Sequence, residues 1–225
     1  MSDYFSSVPV FKDRRQAGQR LVELLRPLVH EAPLILALPR GGVPVAYEIA
    51  KALNAPLDLL MVRKIGAPGN EEFGIGAVVD GADPHCVANQ ALMHQLNVTP
   101  EWFEAEKQVQ LKEIRRRRAV YCGEVPPIPI GGREVVVVDD GVATGSTARA
   151  ALSALAKSTP ARLLFVAPVG AWESLEMLRP LVDDLVCPFT PAPFHSVGEH
   201  YQEFTQTSDE EVIELLAKAR REFLD

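Results

Sequence analysis

The stretch Val135-Val136-Val137-Val138, followed by Asp139-Asp140-Gly141-Val142-Ala143-Thr144-Gly145-Ser146-Thr147, constrains this chain more than any other. Four successive β-branched residues present apolar surface on both faces of a strand, which calls for a parallel sheet covered by helices on both sides. The run leads through a polar loop into an Ala-rich helix, predicted from about Thr147 to Lys157. Two carboxylates therefore stand at the carboxyl end of a buried strand, where open sheets of this class bind their ligands. Beyond them, small residues let backbone N–H groups approach an anion, the helix N-terminus favours negative charge, and Thr144, Ser146 and Thr147 add hydroxyls. A sugar phosphate satisfies both halves: acids for its hydroxyls, a cradle for its phosphate. The plainer alternative is that Asp139 and Asp140 end a strand and Ser146 or Thr147 caps a helix.

The same grammar recurs along the chain. Leu34 to Leu38 reads as a strand, Pro39-Arg40-Gly41-Gly42 as a turn, Val43 to Leu53 as a helix and Leu57 to Val62 as the next strand. Leu163 to Val169 and Leu181 to Cys187 supply further strands, and a first helix capped by Asp13 is predicted to run to about His30. Alternating strands and helices define an α/β fold with a central, mostly parallel sheet flanked by helices. Interrupting that alternation are a hairpin-like stretch, Ile75 to Val87, and a charged helix from about Pro100 to Tyr121. The expectation is a single domain over residues 1–225, with 85–131 a helical insertion or lid. Residues 187–225 are rich in proline and aromatics and then helical from Asp209 to Phe223.

Charge and cysteines exclude several classes. The formal net charge of -7 gives no general attraction to nucleic acid or to an anionic membrane, so phosphate recognition must be local. Cys86, Cys122 and Cys187 form no Cys-x-x-Cys pair and suggest neither a disulfide framework nor a zinc site. No stretch approaches the ~20 apolar residues of a membrane span, and Met1 to Ser7 lacks the basic-then-apolar pattern of a signal peptide. A cytoplasmic protein is expected.

The loop from Asp139 to Thr147 resembles the binding signature for phosphoribosyl pyrophosphate (PRPP) of type I phosphoribosyltransferases: an apolar strand, two acids, then Ala-Thr-Gly-x-Thr. Pro39-Arg40-Gly41-Gly42 resembles the family's pyrophosphate loop. Val62-Arg63-Lys64-Ile65-Gly66-Ala67-Pro68-Gly69, with Glu72-Phe73-Gly74, is similar to the mobile loop of adenine phosphoribosyltransferases. Phe189-x-Pro191-x-x-Phe194, Val197-Gly198 and Tyr201-x-Glu203-Phe204 loosely resemble the base-binding hood of hypoxanthine-guanine phosphoribosyltransferases. Together these segments cover roughly residues 33–80 and 132–205.

The resemblance implies the type I phosphoribosyltransferase fold, with residues 187–225 contributing to a small C-terminal hood. It also implies PRPP and Mg2+ as ligands, and transfer of ribose 5-phosphate to a nitrogen acceptor, nucleobase-like, with release of pyrophosphate. It assigns Ala143, Thr144, Gly145, Ser146 and Thr147 to the 5-phosphate, and Asp139 and Asp140 to the ribose hydroxyls and hydrated Mg2+. Arg40, Gly41 and Gly42 fall to pyrophosphate, Arg63 and Lys64 to closure over the leaving group, Glu72 to proton acceptance or base positioning, and Phe189 and Phe194 to the acceptor. A homodimer is compatible with it. Two departures matter: Gly141 replaces the family's branched apolar residue, and Ala143 stands where hypoxanthine-guanine enzymes carry an aspartate base.

Other signals weigh less. Arg115-Arg116-Arg117-Arg118 reads as a solvated helix face in preference to an RNA clamp, because four consecutive residues spread around a helix among acidic neighbours. Cys187, His195 and His200 match no usual zinc spacing. Gly74-x-Gly76 lacks the third glycine of a dinucleotide fingerprint, and no P-loop string exists. Two further functions stay open: a regulator that senses PRPP or a nucleotide without turnover, and hydrolysis or phosphorolysis of a nucleotide at the same loop.

Overall fold

The computed structural model describes residues 10–30, 32–81 and 84–223, with the backbone alone at 71 and 72. Asp13 accepts a hydrogen bond from the Gln16 amide (2.8 Å) and starts α1 (Arg14–Leu25). That helix stops short of His30: Arg26 keeps helical geometry, but Pro27 has no N–H to continue the hydrogen-bond ladder. Strand β1 (Leu34–Ala37) turns through the glycines into α2 (Gly42–Leu53), which closes on Asn54 in the left-handed region. The expected strand Leu57–Val62 is divided in two. β2 (Leu57–Leu59) completes the main sheet, and the chain then departs into β3 (Val62–Ala67), β4 (Asn70–Val79) and β5 (His85–Ala88).

After β5 come α3 (Gln90–Gln95) and α4 (Pro100–Cys122), the latter capped by Thr99 with proline in its first turn. β6 (Glu134–Val138), α5 (Ser146–Leu155), β7 (Arg162–Val166), α6 (Trp172–Leu178), β8 (Asp184–Val186) and α7 (Asp209–Phe223) complete the chain. Five parallel strands lie in the order β2-β1-β6-β7-β8, and β3-β4-β5 form a separate antiparallel sheet. The fold is α/β, with a five-stranded parallel sheet flanked by helices and a small antiparallel sheet.

Strand alternation divides the core. Ile35, Ala37, Val136, Val138, Leu164 and Val166 pack with residues of α1, α2 and α7, whereas their neighbours Leu34, Leu36, Val135, Val137, Leu163 and Phe165 pack with α5 and α6. Every one of these side chains is buried, so both faces of the sheet lie in a core, as the valine run requires. Strand order reverses between β1 and β6: β2 lies outward of one, β7 and β8 outward of the other. The loops after β1 and β6 therefore face each other across a topological switch point.

One side chain contradicts the solvated reading of the arginine run. Arg118 is 8% exposed, and its guanidinium donates to both carboxylate oxygens of Asp58 on β2 (2.6 and 2.7 Å) and to Asp80 after β4 (3.0 Å). It falls on the same stripe of α4 as the buried Leu111, Ile114 and Cys122, whereas Arg115, Arg116 and Arg117 are exposed. Burial pushes the Asp80 carboxyl up to about 6 against the opposing pull of Arg118. The triad ties α4 and the antiparallel sheet to the edge of the main sheet. No helix among the described residues is long and apolar enough to cross a membrane.

Candidate active site

At the end of β6 the Asp139 amide still bonds to the Val166 carbonyl (3.1 Å), which fixes the first acid at the sheet edge. The loop then holds to β7 and α6: the Val142 amide donates to Val169 (2.9 Å), and the Ser174 hydroxyl donates to the Ala143 carbonyl (2.6 Å). Gly145, at φ 68°, lets the chain turn into α5 and stands as that helix's N-cap without any side-chain cap. Neither Ser146 nor Thr147 caps the helix; the Ser146 amide meets the Thr144 hydroxyl at 3.5 Å, and exposed Thr144, Ser146 and Thr147 surround the helix start. The Thr144 hydroxyl lies 3.3 Å from that of Ser146. This arrangement can receive a phosphate.

From across the switch point the loop after β1 closes on the acids. A Cβ on Gly41 would stand 2.0 Å from Asp140 Oδ2, and one on Gly42 would stand 2.6 Å from the Val138 carbonyl oxygen. Glycine is needed at both for the loops to meet. Gly141 has a related role: a Cβ there would lie 2.4 Å from Cγ1 of Val197, and its φ is not positive. Room for the hood's valine, not backbone freedom, accounts for the missing branched side chain.

The two acids are unlike. The Asp140 amide donates to Asp139 Oδ1 (2.9 Å), and burial, followed by the neighbouring Asp140 charge, raises the Asp139 carboxyl well above the usual range. Asp140 is gripped by a residue for which the sequence offers no local signal. Arg14 Nε donates to Asp140 Oδ2 (2.7 Å) across 126 residues of chain, its guanidinium lies 3.9 Å over the Phe204 ring, and another of its nitrogens donates to the Thr205 carbonyl (2.7 Å). Tyr201 adds a bond from its hydroxyl to the Asp140 carbonyl (2.6 Å), and burial raises its own pKa. Tyr201 was visible in the Tyr-x-Glu-Phe string; Arg14 looked like an ordinary first-turn helix residue.

Phe189 and Phe194 are half-buried beside this corner. Phe189 meets Phe11 edge to face at 5.3 Å, and Phe194 lies 5.6 Å from His200. With Tyr201 and Val197 they form a small cluster that includes the N-terminal Phe11. The N-terminal segment thus joins the C-terminal hood over the acids.

Not every candidate converges on this point. The Arg40 guanidinium lies 3.3 Å from Asp209 at the start of α7, and Tyr121 donates to the same carboxylate (2.7 Å), which holds Asp209 below its usual range. Arg63 donates to Gln110 of α4 (3.0 Å). Lys64 shares a cavity lining with Thr144 and Ser146. The side chain of Glu72, on β4, lies outside the described residues. Among the described residues, no three His, Cys, Asp or Glu side chains converge to hold a metal ion.

A helix start without a side-chain cap and a pair of acids meet at the switch point of a parallel sheet, beneath residues of the N-terminal segment and the hood, in an α/β protein whose candidate site lies at one sheet edge. The family described as "Phosphoribosyl transferase domain" matches residues 16–202, and the chain belongs to it. In two strains of Mycobacterium tuberculosis, a protein whose name provisionally makes it a phosphoribosyl transferase is 40% identical over 216 residues, 96% of this chain. The alignment covers 48% of those relatives, so the chain spans about half their length. The crystal structure of TT1426 from Thermus thermophilus superposes with a TM-score of 0.82 at 40% identity, covering 92% of this chain and 98% of that one.

Proposed function

We propose that the protein is a phosphoribosyltransferase: it binds PRPP with Mg2+ and transfers ribose 5-phosphate to a nitrogen acceptor, nucleobase-like, releasing pyrophosphate. The observation that carries this reading is the meeting of Asp139 and Asp140 with the uncapped start of α5 and the bare backbone of Gly41 at one switch point. In the scheme, Thr144 to Thr147 hold the 5-phosphate through hydroxyls and first-turn amides. Asp139 and Asp140 accept hydrogen bonds from the vicinal ribose hydroxyls.

Hard oxygen donors suit Mg2+, which takes one or two carboxylates and completes its shell with substrate oxygens and water. Asp140 Oδ1 and Asp139 fit that role, and the lack of a larger acidic cage among the described residues agrees with an ion that arrives on its substrate. When bound, the ion neutralises charge on the departing pyrophosphate.

The acceptor nitrogen forms a bond to the anomeric carbon as the C–O bond to pyrophosphate breaks, and the leaving group keeps the electron pair. Gly41 and Gly42 offer backbone to that group. Arg40 reaches it by exchanging Asp209 for phosphate oxygens, and Lys64 does so by closure of the antiparallel sheet; Arg63 must first leave Gln110. Phe189 and Phe194 flank the acceptor. Because Ala143 supplies no carboxylate, the acceptor's proton passes to Glu72 in this scheme.

A second reading, a sensor that binds PRPP or a nucleotide without turnover, is favoured by the pairing of Asp140 with Arg14 and of Arg40 with Asp209. Incubation with PRPP, Mg2+ and a nucleobase panel separates the two. Pyrophosphate release abolished by Asp139→Asn with Asp140→Asn supports transfer; release that survives the pair sinks the roles given to these acids. Tight PRPP binding with no release under any acceptor selects the sensor.

A further inference from the structure

A groove of about 740 Å³ opens beside the phosphate loop, and neither Asp139 nor Asp140 lines it. One wall is a stripe of α5, Ser146, Arg149, Ala150 and Ser153, whose spacing puts them on one helix face. The opposite wall is the antiparallel sheet, where half-buried Val87 and Ala88 of β5 and the bare backbone of Gly74 and Gly76 of β4 give an apolar surface, with Ile75 and Ala77 buried behind it. Met177 of α6, 48% exposed, borders the opening.

The polar part of the lining consists of cations, hydroxyls and the amides of Asn89 and Gln90. Among the described residues, Lys64 and Arg149 are its charged members, and none of its members is a carboxylate. Among the described residues, neither cation makes an ion pair or a side-chain hydrogen bond, whereas Arg14, Arg40, Arg116, Arg117, Arg118 and Arg162 all do. The hydroxyls of Thr144 and Ser146 sit at the same end. Two uncommitted cations and two hydroxyls facing an apolar wall form a receptor for an anion with a flat apolar body. Exposed methionine adapts to such a body.

We propose that this groove binds a phosphomonoester of an aromatic ring system, as a site separate from the one over the acids. Its phosphate takes Arg149, Lys64 and the two hydroxyls; its ring lies between α5 and the β4–β5 surface. Because Thr144 and Ser146 belong to both sites, the occupant competes with a sugar phosphate for them. The proposal does not depend on whether the chain turns PRPP over.

The test uses 1-naphthyl phosphate, which has the phosphate and the ring but no ribose hydroxyls for the acids. Its binding to the full chain is followed by fluorescence titration, and ribose 5-phosphate binding by calorimetry. Arg149→Glu, at an exposed position, and Ser153→Trp, which fills the groove, should each weaken naphthyl phosphate at least tenfold. Asp139→Asn with Asp140→Asn should leave that affinity within twofold while weakening ribose 5-phosphate. Ribose 5-phosphate should displace the naphthyl ligand from the unsubstituted protein. The proposal is overturned by no binding at millimolar ligand, by unchanged affinity in both groove variants, or by loss confined to the Asp pair. Failure of the acid variants to affect ribose 5-phosphate counts against the PRPP reading alone.

Discussion

Replacing Arg118 with methionine removes the cation from a site that keeps two buried carboxylates. The side chains of Arg118, Asp58 and Asp80 are 10%, 5% and 7% exposed, so water cannot take the guanidinium's place. Breaking a pair this deeply buried costs about 3–5 kcal/mol, and a chain of this size loses about 2–4 °C of melting temperature per kcal/mol, giving a fall of about 6–20 °C at neutral pH. The pH dependence identifies the cause. Asp80 ionises in the folded protein at about 6, against 3.8 for the free group, so the folded state holds its proton more tightly. Its ionisation therefore costs stability as pH rises between those values, and protonation restores it as pH falls. Without Arg118 the Asp80 carboxyl moves further in that direction, and the deficit of Arg118→Met should shrink between pH 7.5 and pH 5. Adding Asp58→Asn and Asp80→Asn should recover part of it at pH 7.5, because Asn keeps an acceptor for the Leu59 and Met61 amides while the Ile128 amide loses its partner on Asp58. Thermal and urea unfolding at the two pH values measure these effects. A loss below about 1 kcal/mol, or one equal at both pH values, refutes an uncompensated-charge origin.

Gly41→Ala places a methyl 2.0 Å from Asp140 Oδ2 and must displace that acid, so calorimetry should show PRPP affinity falling by roughly tenfold or more, about 1.4 kcal/mol. Arg14→Met removes a charge-assisted bond to Asp140 together with the stack on Phe204; urea unfolding should register a loss of about 1.5–3 kcal/mol. Gly141→Ala overpacks Val197 and should cost about 1–3 kcal/mol, and adding Val197→Ala should return most of it. Equal stability of the single and double variants would show that Gly141 is not there for room.

What the sequence discloses depends on how far apart the interacting residues lie. The valine strand, the acids and the helix after them are contiguous, and buried β-branched residues leave few alternatives, so this part of the site was legible. Arg118 was half legible: its spacing from Ile114 and Cys122 puts it on the apolar stripe of α4, and Asp58 between two leucines of a short strand is an acid without local company. Nothing local marks the two as partners, because 60 residues separate them. Arg14 was not legible at all, since a helix-starting arginine has no pattern that distinguishes a solvated side chain from one stacked on Phe204.

This division bears on specificity. In the proposed scheme the ribose-phosphate half rests on nine consecutive residues held by strand and helix, whereas the roof above them is assembled from Phe11 and Arg14 toward one end of the chain and Phe189, Phe194, Val197, Tyr201 and Phe204 toward the other. A change in Phe11 or Phe189 alters the roof without touching the phosphate loop, while a change at Asp140 disturbs both, because Arg14 and Tyr201 hold that acid from above. Acceptor preference should therefore move independently of PRPP affinity when Phe11, Phe189 or Phe194 is substituted. Phe189→Leu should shift the ratio of turnover between nucleobases while PRPP binding stays within about twofold, which is under 0.5 kcal/mol. A parallel loss of PRPP affinity would place the ring in the ribose site and unite the two halves.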